Sequence, residues 1–179
     1  MADSTPWELR EAEAGADDAT AAGLMVEYLV WANGRLLKEY AINDPPTDPR
    51  GVLDGIGEYH RPRGVLLLAE VGGRPAGVGA LRRLGGAVAE VKRIYVVPSW
   101  RGRHIGSAIV DRLIDEARGM GATTLRLDTC RFMVDAQRLY RSRGFTERAP
   151  YPESEIPPRL HRHWAFFERG LDVAPHAPP

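Results

Sequence analysis

Hydrophobic and polar positions change period several times along the chain, and those changes outline its elements. Trp7–Ala12 alternates weakly and predicts a short strand. Asp17 or Asp18 can N-cap a helix whose apolar positions include Leu24, Leu29, Leu36 and Leu37. Asn43–Arg50 holds three prolines and must end that helix, with a shorter one to follow over Val52–Tyr59. From Gly64 the pattern is that of strands. Val65–Val71 is a continuous apolar run, as in a strand covered on both faces. Gly72-Gly73 turns the chain into Pro75–Leu84, and Gly85-Gly86 turns it again into Val88–Val97. Two such turns in succession predict an antiparallel meander.

The period then becomes helical. Ile105, Ile109 and Leu113 recur at helical spacing, Val110, Ile114 and Ala117 fill the adjacent stripe, and Gly119 or Gly121 supplies the stop. Thr123–Asp128 reads as a strand and Val134–Arg143 as a helix ended by Gly144. Phe145–Glu147 and Trp164–Glu168 are short strands on either side of a proline-rich loop. The order is that of an α+β fold, in one domain over residues 1–172. The Pro-rich tail over 173–179 cannot form a core element.

Composition narrows the picture mainly by exclusion. A length of 179 residues suits a single domain. With 24 basic and 24 acidic side chains the net charge is zero, which argues against a nucleic-acid partner. The lone Cys130 can form neither an internal disulfide nor a thiolate zinc cluster. His161 and His163 have no carboxylate at ligand spacing, so no metal is expected. No apolar run approaches ~18 residues, so no membrane association is expected. The opening MADSTPWELREAEAG lacks the apolar core of a signal peptide, so the expected location is cytoplasmic.

The neutral total hides an asymmetry. Residues 1–34 carry seven acids and one base, and residues 92–143 eleven bases and five acids. The basic segment includes the junction IYVVPSWRGRHIGSA, where a strand ends at Pro98 and a helix begins near His104. A helix N-terminus offers unpaired N–H groups and a positive dipole end, so this turn is a candidate anion site. Gly102 and Gly106 allow close approach to the backbone, and Arg101 and Arg103 add charge. A plain connection with solvated arginines is the alternative on geometry alone.

At this junction the chain resembles the GNAT superfamily of acyl-CoA-dependent N-acetyltransferases. Their signature, [RQ]-x-x-G-x-[GA] after a strand ending in a V-x-P-like pattern, is matched by Arg101-Gly102-Arg103-His104-Ile105-Gly106 after Val96-Val97-Pro98. A second hallmark, A-x-x-L-Y-x-x-x-G-F, stands at Ala136–Phe145. With LRLDT at Leu125–Thr129 and the closing WAFFER, the resemblance covers about residues 64–170. Two positions depart from the pattern. His104 replaces the first signature glycine, which a residue tolerant of left-handed backbone can do, and Met133 stands where many members carry Asn.

The resemblance implies a three-layer α/β/α fold around a mixed, mostly antiparallel, strongly twisted sheet. It implies acetyl-CoA as co-substrate, its pyrophosphate on the N–H groups of residues 101–107, Ser107 included. The pantetheine arm would pair with the backbone of Ile94, Tyr95 and Val96. Acetyl would pass directly to an amine of a small molecule or peptide in a ternary complex. Glu90, expected on one strand face with Lys92, Ile94 and Val96, stands where several members hold a general base. Tyr140 stands where the family holds a general acid, and a backbone N–H near Val96 would hold the oxyanion. Cys130 reads as packing. The acceptor site would lie between residues 28–60 and 148–163, where Trp31, Tyr59, Tyr151 and Trp164 are candidate walls. A catalytically degenerate acyl-CoA-binding regulatory or sensor module is the alternative, and a homodimer is left open.

Overall fold

The computed structural model describes residues 5–172; the expected tail over 173–179 lies outside the described residues. In chain order the elements are β1 (Trp7–Glu11), α1 (Asp18–Tyr40), α2 (Pro49–Asp54), β2 (Gly64–Val71), β3 (Arg74–Gly85), β4 (Val88–Val96), α3 (Ile105–Gly119), β5 (Thr124–Cys130), α4 (Val134–Ser142), β6 (Thr146–Arg148) and β7 (Trp164–Gly170). Short 3-10 turns follow α2 and β4 and precede β7. The strands form one sheet ordered β1-β2-β3-β4-β5-β7-β6. Only β4 and β5 run parallel; every other neighbouring pair is antiparallel. The meander predicted from the paired glycines is thus β2-β3-β4, with each turn glycine at positive φ.

Helices cover both faces. Met25 and Ala21 of α1 pack with Leu66, Leu68 and Val78 on one side. Ile109 and Leu113 of α3, with Tyr140 of α4, pack with Leu67, Leu81 and Val91 on the other. This explains why β2 reads as unbroken apolar sequence: alternate residues enter opposite cores, and Val65–Ala69 are fully buried. Gly79 lets α3 lie close on β3, since a Cβ there would collide with Ile109 Cγ2.

Several expectations change in detail. Leu37 is 53% exposed on the outer face of α1 and is not a core position. Asp17 precedes α1 but does not cap it through its side chain. Its carboxylate binds Arg10 Nη1 at 2.6 Å and the Glu13 N–H at 2.7 Å. The Arg10 hydrogen bond, helped by the Glu13 N–H, holds the Asp17 pKa down at about 2. Among the described residues, Asp17, Asp18 and Glu11 pair with Arg10, His60 and Arg61, not with the basic segment.

The largest difference lies in β4. Val78 pairs with Tyr95 but Ala80 with Lys92, so β4 carries one extra residue between them. Arg93 takes up that residue with a left-handed φ of 57°. A one-residue bulge reverses which face each later side chain meets. Glu90 and Lys92 therefore share the α1 face with Tyr95, while Ile94 and Val96 pack against the α3 core. The single face expected for Glu90, Lys92, Ile94 and Val96 does not exist.

Candidate functional site

β4 and β5 pair only from Val88–Glu90 to Thr124–Arg126 and then part. Two adjoining spaces open where they diverge. The larger, a cleft of about 710 Å³, runs from the start of α3 to the start of α4. Ile94, Tyr95 and Val96 form one edge, and Met133 and Ala136 the facing edge. A smaller chamber of about 100 Å³ lies deeper, reached past Ile94, Met133 and Leu139, which line both spaces.

The outer end of the cleft is the turn before α3. Arg101, Gly102, His104, Ile105 and Gly106 line it. His104 precedes α3 with φ 63° and ψ 10°, the left-handed geometry that the missing glycine would have supplied. Among the described residues Arg101 forms no ion pair; its Nε–H donates to the Val96 carbonyl at 3.1 Å. The Arg103 side chain is turned away, stacked 5.4 Å from the Trp100 ring and donating to the Thr5 carbonyl. The Ser107 hydroxyl donates to the His104 carbonyl at 2.7 Å. Charge at this end therefore comes from Arg101 and the helix terminus alone.

A left-handed conformation costs a non-glycine residue about 1–2 kcal/mol, partly offset because glycine gives up more freedom on folding. His104→Gly is accordingly expected to raise thermal stability slightly with α3 intact. A drop in melting temperature would show that the imidazole holds the turn.

The inner chamber is where ionisable groups gather. Tyr140 lines it, as do Lys92, Arg93 and Asp128. Burial, with a contribution from Asp128, pushes the Tyr140 phenol above the ordinary tyrosine range. Lys92 Nζ lies 3.2 Å from Glu155, 3.7 Å from Asp128 and 4.0 Å from Glu90. Burial alone would lower its pKa, but the three carboxylates outweigh burial and the net shift is upward. Lys92 is therefore an ammonium at neutral pH. Asp128 accepts from Ser154 Oγ at 3.4 Å and from the Tyr151 hydroxyl at 3.5 Å.

Glu90 lines neither space. It is fully buried behind the chamber, where it accepts from Tyr151 Oη at 2.7 Å and Arg82 Nε at 2.8 Å. Burial and the adjacent Glu90 and Asp128 raise the Tyr151 pKa, so that phenol remains a donor. Sequence reading singled out Glu90 and passed over Asp128. The parallel pairing of Glu90 with Arg126 puts Asp128 two residues further along the same face, a relation visible only once the register is known. Glu90→Gln is expected to cost about 1–3 kcal/mol in urea unfolding, because one buried donor loses its ionic acceptor. An unchanged midpoint would mean that Glu155 satisfies Arg82 and Lys92 unaided.

Other candidates fall outside the cleft. Tyr59, Tyr151 and Trp164 are core residues; Trp31 alone of the four proposed walls lines it. Cys130 is buried, and burial with Asp128 and Asp44 pushes its thiol up to about 12, so it stays protonated. His163 stacks 4.3 Å from Tyr40, and His161 lies 2.9 Å from the Ile156 carbonyl. Among the described residues no His, Cys, Asp and Glu cluster could hold a metal, and no helix is long and apolar enough to cross a membrane. Met133 Sδ accepts from Thr129 Oγ1 at 3.3 Å and Tyr28 Oη at 3.9 Å.

A parallel strand pair thus splays open within the sheet of an α+β fold, with a helix N-terminus at the mouth of the opening. Residues 31–145 match the acetyltransferase (GNAT) family, and the chain belongs to that family. It is 42% identical over 62 residues to an IAA acetyltransferase of Azospirillum brasilense, covering 35% of this chain and 40% of that protein. It is 35% identical over 102 residues to an uncharacterized N-acetyltransferase of Schizosaccharomyces pombe, covering 56% of this chain and 63% of that one. The chain thus matches less than two thirds of the length of either relative. A putative acetyltransferase from Salmonella typhimurium, solved with its cofactor acetyl-CoA, superposes with a TM-score of 0.68 at 25% identity over 97% of both chains. A GNAT-family acetyltransferase from Staphylococcus aureus Mu50 gives 0.71 at 20% identity, covering 93% of this chain and all of that one. These likenesses fit the expected three-layer fold.

Proposed function

We propose that this chain transfers an acetyl group from acetyl-CoA directly to an amine, with both substrates held in the splayed cleft. The observation that carries this reading is the parting of β4 and β5 beyond Glu90. It leaves an unpaired β4 edge, the start of α3 and the Tyr140 phenol around adjoining spaces.

The residues fit acetyl-CoA. Backbone groups of Ile94, Tyr95 and Val96, having lost β5 as a partner, are available to an amide-bearing arm. The N–H groups from Gly102 to Ser107 and the Arg101 guanidinium suit a diphosphate. Arg103 contributes through its backbone only. Bound acetyl-CoA supplies an acyl group already activated as a thioester.

The chain's own residues then handle protons and charge. Backbone N–H groups between Arg93 and Val96 steady the developing oxyanion. Tyr140, protonated at working pH, gives its proton to the departing sulfur. Asp128, the carboxylate lining the chamber, takes the proton of the attacking nitrogen. Glu90 acts one step back, fixing Tyr151 and Arg82 so that Asp128 and Lys92 keep their places.

Calorimetric titration with acetyl-CoA, paired with thiol release across a panel of amines, tests the reading. Saturable binding with amine-dependent thiol release is the expected result. Binding without release from any amine would favour the regulatory module, and no binding would overturn the proposal.

A further inference from the structure

The wall of the large cleft that faces α3 is aromatic and cationic. Tyr28, Trp31 and Arg35 line it from α1, spaced three and four residues apart so that one helix face presents all of them. Phe132, from the connection between β5 and α4, faces them. Its ring centroid is 6.0 Å from that of Trp31 at an interplanar angle of 80°, and 4.9 Å from the Arg35 guanidinium. Trp31 and Phe132 are only partly buried, so each keeps ring surface for a ligand.

Charge in this region is mainly positive. The arginine, histidine and carboxylate side chains lining the cleft are Arg35, Arg101, His104 and Asp135. Asp135 is 97% exposed and held by Arg138 at 3.0 Å. Arg101 stands at the α3 turn, where the diphosphate would neutralise it. Arg35 has one carboxylate partner, Glu39, at 2.8 Å along the same helix, and both side chains are more than a third exposed. Exposed helical pairs of this kind are weak and readily exchanged for a better acceptor. A dicationic amine would meet two arginines, against Asp135 as the carboxylate among the lining residues.

Resting on the acetyltransferase reading, we infer that this wall is the acceptor pocket and that it selects an amine on an aromatic framework that also carries an acidic group. The aryl ring lies against the exposed surfaces of Trp31 and Phe132, which themselves meet edge to face. The acid displaces Glu39 and takes the Arg35 guanidinium, whose planar fork suits a carboxylate. The amine then points inward, toward Asp128.

The test uses the full chain with L-phenylalanine and 4-(aminomethyl)benzoate, their two amides, and 1,4-diaminobutane. With acetyl-CoA, kcat/KM for at least one acid is expected to exceed that of its amide by about tenfold or more, the scale of a charged hydrogen bond. Arg35→Gln should collapse that ratio toward unity without changing acetyl-CoA affinity, and Arg35→Lys should restore part of it. Calorimetric titration of the same amines into the chain saturated with unacetylated CoA reads acceptor selectivity without turnover. If no amine releases thiol but the acid still binds more tightly than its amide through Arg35, transfer is what fails and the pocket assignment stands. Equal or better use of the amides or the diamine, or an acid preference that survives Arg35→Gln, overturns the assignment.

Discussion

Replacing Asp128 by Asn is expected to lower kcat by about 10²- to 10⁴-fold, the range for loss of a positioned general base, with acetyl-CoA affinity unchanged. An alkyl ammonium is about three pKa units from its reactive form at pH 7, roughly 4 kcal/mol, so some group must take its proton. Lys92 cannot, because its carboxylate neighbours hold it charged. Glu90 is sealed behind Tyr151 and Arg82. Asp128 lines the chamber and is the carboxylate in position. Asparagine keeps its shape and its acceptor for Ser154 and Tyr151 but cannot take up a proton. Lys92 would keep Glu155 at 3.2 Å, so the substitution does not strand a buried charge. Steady-state kinetics on Asp128→Asn and Glu90→Gln, side by side, separate the two carboxylates. A collapse of kcat in Glu90→Gln with near-normal turnover in Asp128→Asn would return the base role to Glu90, acting through Tyr151.

This contrast marks where sequence stopped being informative. Local signals were legible: paired glycines at two turns, the apolar run of β2, the helical period from Ile105, and the arginine turn with its two glycines. Each depends on residues a few positions apart. The motif reading also carried Ile94–Val96 to the cleft and Tyr140 to the chamber beside it, because their spacing to the α3 turn and to Gly144 is local. What failed depends on contacts far along the chain. The β4 bulge at Arg93 leaves no mark in residue type, since arginine is not a residue that announces a left-handed backbone. Counting by twos from Glu90 therefore carried the wrong face past it. The pairing of β4 with β5 joins segments more than thirty residues apart, and the partnership of Lys92 with Asp128 follows only from that pairing. Arg35 and Phe132 meet for the same kind of reason: α1 and the β5–α4 connection are neighbours only in the folded chain.

The second large effect concerns Tyr140. Tyr140→Phe is expected to lower kcat by about 10²-fold, the lower end for a general acid, from neutral pH up to the pH at which the phenol itself ionises. The sign follows from the donor. The phenol can protonate the departing sulfur only while it holds its own proton, whereas phenylalanine offers none at any pH. In the unaltered chain burial, then Asp128, raises the phenol above its ordinary value of about 10. The proton-donating form therefore persists beyond the pH at which an exposed tyrosine would ionise, and Tyr140 imposes no loss of rate across the neutral to mildly alkaline range. Phenylalanine fills the same space against Phe145 and Phe167, whose rings lie 6.1 and 6.2 Å away, so packing is largely retained. A purely structural role would lower kcat equally at every pH, together with the melting temperature. Matched pH profiles of kcat for the two proteins, separated through the neutral and mildly alkaline range and converging only where the phenol ionises, above the ordinary tyrosine value of about 10, identify Tyr140 as the acid. Parallel profiles would transfer that role to solvent and leave Tyr140 as part of the wall.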